Sequence, residues 1–157
     1  MTRKHSNRIP RALINPLTRM RPAPKSKRDR VMLSFHTALE AMAGGKHPGE
    51  EEWRSLSDAI NTLETMVLMG KLLDHEVMPL VTAAIEGMVH AARRYRAGQG
   101  MRLDGPGFTA LREIVAVYEQ CLQGFTEAEM AEAQHQTQQR LNAVWRAKKL
   151  PDNVIAV

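Results

Sequence analysis

Apolar residues recur along most of this chain at helical spacing, and polar breaks separate the recurrences. A first helix is predicted over 29 to 43, with Val31, Phe35, Leu39 and Met42 on one stripe. It is expected to stop at Gly44 and Gly45, whose easy positive φ suits a C-cap, and the loop runs on through Pro48 and Gly49. Glu50, Glu51 and Glu52 then open a second helix, where acids complement the positive end of the helix dipole. Its apolar positions Trp53, Leu56, Ile60, Leu63 and Val67 alternate three and four residues apart, the spacing of a seam that faces other helices.

Gly70 interrupts, and Asp74 is the expected N-cap of a third helix that tolerates Pro79 in its early turns. Val77, Leu80, Ala84, Met88, Ala91 and Tyr95 form its seam, and Arg93, Arg94 and Arg96 sit at its negative end. The stretch 98 to 107 holds Gly98, Gly100, Asp104, Gly105, Pro106 and Gly107 and reads as a clear break. A fourth helix follows with Phe108, Leu111, Val115, Tyr118 and Leu122, and Gly124 ends it. Thr126 and Glu129 make a capping box for a fifth helix. Its expected seam (Met130, Gln134, Thr137, Leu141, Val144) is half polar, with Gln136, Gln138 and Gln139 alongside, so this helix is expected to be only partly packed or to project toward a partner.

No strand-like alternation and no internal repeat interrupts this pattern. The expected fold is all-α: an antiparallel four- to five-helix bundle over 29–149, preceded by an extended basic arm over 1–28 and followed by a tail over 150–157. A palette of Ala, Leu, Val, Ile and ten Met with only 4% aromatics suits helix packing. Cys121 is the one cysteine, which rules out an intramolecular disulfide and fits a reducing, cytoplasmic setting; it reads as a small core residue. No run approaches the roughly 18 apolar residues of a membrane span. The N-terminus lacks the apolar core of a secretory signal, and Pro10, Pro16, Pro22 and Pro24 would break the helix of a transit peptide.

Charge changes this picture. The chain has 22 Lys and Arg against 17 Asp and Glu, yet the first thirty residues hold ten of the basic ones and a single acid, Asp29. The leader is therefore +9 and the remainder −4, for a net +5. Arg3, Lys4, Arg8, Arg11, Arg19, Arg21, Lys25, Lys27, Arg28 and Arg30 are the candidate binding residues of this leader. Mobile Lys and Arg reward a phosphate backbone through counterion release without demanding fixed geometry. The leader has no Tyr, Phe or Trp, so it offers no base stacking; Ile9, Leu13, Ile14, Leu17 and Met20 are the residues expected to dock part of it on the body or on a partner. An acidic protein surface and a simple solubilising tail are the competing readings.

Arg93, Arg94 and Arg96, with Arg102 nearby, form a second basic group that is either a binding patch or a helix-dipole complement. Arg146, Lys148 and Lys149 have the same double meaning. Glu132 and His135 match the Glu-x-x-His spacing of di-iron bundles, but Glu86 and His90, the nearest counterpart, are one residue too far apart, so surface polarity is the simpler account. No catalytic or metal signature stands out, and no cofactor is expected. The Gly-x-Gly segments at 98–100 and 105–107 follow no strand and precede no P-loop lysine. Trp53 reads as core; Trp145 as core or a partner anchor.

Residues 8 to 17 (Arg8, Ile9, Pro10, Arg11, Ala12, Leu13, Ile14, Asn15, Pro16, Leu17) resemble a segment of small proteins from prophages and other mobile elements of proteobacteria, a group named as Fis family transcriptional regulators. The similarity continues through Arg93, Arg94, Tyr95 and Arg96, and from Leu111 to Glu129. True Fis-type regulators end in a helix-turn-helix. Here the C-terminal region is one Gln-rich helix before Pro151, so no recognition-helix residue is carried over. The resemblance implies a mobile-element origin. The expected role is a non-enzymatic binding protein engaging nucleic acid or a nucleoprotein complex through its arm, with the bundle setting homo-oligomerisation or partner choice and no membrane involvement. The alternatives are an inhibitor of a host defence complex of the anti-CRISPR type, binding a host protein complex, and a virion or packaging component.

Overall fold

A computed structural model describes residues 20–45 and 47–147, and its regular elements are five helices: α1 (Lys25–Gly44), α2 (Glu50–Leu68), α3 (Asp74–Arg96), α4 (Gly105–Gly124) and α5 (Glu127–Ala147). The short connections turn each helix back on its predecessor. α1 packs on α2, α2 on α3 and α3 on α4, and α4 closes the ring against α1. The seams predicted for the first, second and fourth helices supply the core: Phe35, Leu39 and Met42; Leu56, Ile60 and Leu63; Leu111, Val115, Tyr118 and Leu122 are all buried. Phe35 and Tyr118 meet edge to face at 4.9 Å in its middle.

Several local expectations are corrected. α1 begins at Lys25, so Lys25, Lys27 and Arg28 belong to its first turn rather than to the arm. Pro24 is the N-cap, with a φ suited to a helix entry and no N–H to strand, and its carbonyl accepts from Lys27 and Arg28. Gly45 is extended at φ −66°, so its need for glycine is proximity: a Cβ there would lie 2.7 Å from Ala41 Cα. The left-handed glycines are Gly70 and Gly98, each just past a C-cap (Met69 and Ala97), where Lys71 N–H reaches Met66 O and Gln99 N–H reaches Arg94 O. Asp74 is the first residue of α3 and caps nothing; Leu73 holds the N-cap position. On α3 the inward stripe runs through Val81, while Leu80 is half-buried and Tyr95 is exposed.

α3 and α4 approach closely because two glycines face each other: a Cβ on Gly87 would meet Gly107 Cα at 2.6 Å. Asp104 caps α4 by accepting from Gly107 N–H at 2.8 Å. The capping box opens α5 as predicted, with Glu129 Oε2 accepting from Thr126 N and Oγ1 and the Thr126 hydroxyl accepting from Glu129 N.

α5 lies on α2, with a smaller contact on α4, and buries only Met130, Ala133 and Thr137. Gln134 is exposed and Ala133 takes its place on the stripe; Leu141 and Val144 are half-buried. Much of the attachment is polar. Thr137 Oγ1 lies 2.8 Å from both Thr65 Oγ1 and Ala133 O, and its single proton serves one of them at a time. Arg140 donates to Thr65 Oγ1 at 2.6 Å and to Glu64 Oε2 at 2.5 Å. The partly packed helix expected from the sequence is thus docked by hydrogen bonds over a narrow apolar strip.

Candidate functional site

The two basic groups occupy opposite ends of the bundle. Up-and-down topology puts the start of α1, the end of α2, the start of α3, the end of α4 and the start of α5 at one end, here called the leader end. The end of α3 and the start of α4 lie at the other, where Leu103 N–H donates to Met42 O. Helices of about twenty residues separate the ends by about 30 Å. Arg93, Arg94 and Arg96 are therefore remote from the described base of the leader, Arg21 to Arg30.

At the far end the arginines are largely structural. Arg94 donates to Arg102 O through Nε at 3.1 Å and through a terminal nitrogen at 2.6 Å, and it faces Asp104 at 3.6 Å. Arg102 donates to Gly45 O at 3.2 Å, tying the α3–α4 connection to the end of α1. The Gly107 N–H, with His90 and Arg94 beside it, holds the Asp104 carboxyl below the usual carboxylate range. Arg93 and Arg96 are exposed. The helix-dipole reading of this group gains a stapling role that sequence alone did not reveal.

At the leader end, Arg21, Lys25 and Arg30 are exposed and make no ion pair among the described residues. Lys27 pairs with Glu127. Arg28 is half-buried, with its Nε out of solvent and unpartnered among the described residues. The first turn of α1 contains no acid, so these cations add to the positive end of its dipole, while Asp29 follows in the same helix and Asp74, Glu76, Glu127 and Glu129 open α3 and α5 at the same end of the bundle. Arg3, Lys4, Arg8, Arg11 and Arg19 lie outside the described residues, as do Lys148, Lys149 and the tail.

Facing this cationic base is the start of α5, which sequence reasoning read only as a cap. Glu127 and Glu129 stand in its first turn, and Glu129 and Glu132 lie 3.7 and 3.9 Å from Lys71 Nζ. Thr126, through its backbone N–H and then its hydroxyl, holds the Glu129 carboxyl below its ordinary range. Partners a hundred residues apart leave no sequence signal. Glu132 thus faces a lysine, and His135 of the Glu-x-x-His pair lies 2.9 Å from Gln139.

Cys121 is buried, as expected, and burial pushes its thiol up to about 11. Trp53 is half-buried, its Nε1 unpartnered among the described residues, whereas Trp145 is 59% exposed and lies outside the core. No described helix is long and apolar enough to cross a membrane. Comparison with protein-family models, with curated proteins and with solved structures finds no match.

Proposed function

We propose that this chain is a non-enzymatic binding protein of a phage or other mobile element that engages nucleic acid, alone or in a nucleoprotein complex, through its cationic leader. The supporting observation is the base of that leader. Arg21, Lys25 and Arg30 are exposed and unpaired among the described residues, at a helix end whose own dipole is positive. They continue a segment in which every charged residue before Asp29 is basic. Phosphate contacts need charge and reach more than shape, and their strength falls steeply with salt.

The test removes residues 1–23, which leaves α1 with its Pro24 N-cap, and measures binding to duplex DNA and to single-stranded RNA over a salt series. The expected result is loss of most of the affinity and of most of its salt dependence. Unchanged binding, or no binding by the intact chain, contradicts the proposal. A second reading, an inhibitor that binds a host protein complex, is favoured by the exposed Trp145 on the last turns of α5. It predicts that Trp145→Ala abolishes recovery of a stoichiometric protein partner while nucleic-acid binding is unaffected.

A further inference from the structure

The first turn of α1 is charged against its own dipole, with Lys25, Lys27 and Arg28 where acids are normally favoured. The chain answers this from a distance. Lys27 Nζ donates to Glu127 Oε1, and the Glu127 backbone N–H donates to the Arg21 carbonyl at 2.8 Å. The first residue of α5 is thus bound twice to the base of the leader, once through charge and once through backbone. In chemical terms the Glu127 carboxylate holds the seat a phosphate oxygen would take: an anionic oxygen on a lysine at a positive helix end.

We infer that Glu127 is a built-in competitor for the leader's ligand, an autoinhibitory contact that a phosphate backbone must displace to use Lys27. The inference rests on the nucleic-acid reading above. Displacement frees Lys27 and strains the bond to the Arg21 carbonyl, so it loosens the first turn of α5. That helix is also held by three buried side chains, by Lys71 beside Glu129 and Glu132, by Gln134 donating to the Tyr118 hydroxyl, and by the Thr65, Glu64, Thr137 and Arg140 cluster. Occupancy of the leader is thereby coupled to the docking of α5, and the coupling is reciprocal.

The experiment uses the full chain and a fluorescein-labelled DNA duplex of about 20 base pairs, read by anisotropy at low salt. Glu127→Gln is compared with Glu113→Gln, which removes the same charge from an exposed position on α4. The Thr126 and Glu129 capping box is untouched, so the start of α5 remains specified. Glu127→Gln is expected to bind about two- to fivefold tighter than Glu113→Gln, the span of one exposed ion pair. Hydrogen exchange on the wild type, which needs no variant, is expected to show faster exchange in the first turn of α5 when DNA is bound. Equal affinity of the two variants, with leader-dependent binding intact in the wild type, overturns this inference alone. Absence of leader-dependent binding in every protein overturns both it and the underlying reading.

Discussion

Replacing Gly87 by alanine pits two effects of opposite sign against each other. Alanine in a helix interior gains about 1 kcal/mol over glycine in propensity. Against this, the new Cβ would sit 2.6 Å from Gly107 Cα and 3.4 Å from Gly107 C, where carbon contacts settle at about 3.5–4.0 Å. Both opposing atoms are backbone, so relief requires α3 and α4 to part by about 1 Å, with an overpacking cost of about 1–3 kcal/mol. Parting also pulls on the 2.8 Å bond from Gly107 N–H to Asp104. The packing loss wins. A net destabilisation of up to about 2 kcal/mol lowers the melting temperature by up to about 8 °C in a chain of this size. Urea unfolding followed by circular dichroism measures it, with Gly44→Ala as the paired control. Nothing lies within 4 Å of a Cβ on Gly44, so that variant is expected to be neutral or more stable by up to about 1 kcal/mol. If Gly87→Ala unfolds at or above the wild-type midpoint, the close helix crossing is wrong.

Arg140→Ala leaves the Glu64 carboxylate without its cation and is expected to cost about 1 kcal/mol, discounted because the arginine is 39% exposed; hydrogen exchange should show α5 opening before the other helices, and uniform exchange across all five would contradict a separately docked α5. Asp104 and Glu129 have folded pKa values held below their unfolded values of about 3.9 and 4.3, so the stability they add is present above that range and lost as pH falls through it. Asp104→Asn and Glu129→Gln should therefore flatten the acid limb of a stability–pH curve below about pH 4, and an unaltered acid limb would count against those hydrogen bonds. Cys121, with its thiol at about 11, should react with iodoacetamide at pH 8 about two hundredfold more slowly than a free thiol, and rapid native-state labelling would contradict its burial.

The bundle was legible because its information is local. Leu56, Ile60 and Leu63, or Leu111, Val115 and Tyr118, declare a buried face by spacing alone, and Thr126 with Glu129 declares a helix start. Errors arose where a local rule had two solutions. Gly45 is a glycine for closeness to Ala41 rather than for positive φ, and Pro24 let α1 begin four residues before the predicted start. The thin face of α5 was visible, but the reason it still docks was not, because Thr65 and Thr137 are 72 residues apart. The same holds at the leader end: Lys27 reads as a binding residue of the leader and Glu127 as part of a helix start until the fold brings them together. The sequence marks Arg93, Arg94 and Arg96 as a second basic group, and topology sets them the length of the bundle away from Arg21, Lys25 and Arg30.

The salt dependence of DNA affinity tests the central claim most directly. Every phosphate left without its cation should reduce the slope of log affinity against log salt by about 0.9, so replacing Arg21, Lys25 and Arg30 together with alanine should reduce it by about 2.7. Arg93→Ala, at the other end of the bundle, should leave the slope unchanged. A triple variant with the wild-type slope, or an Arg93 variant whose slope falls as far as that of a single leader substitution, would contradict the account.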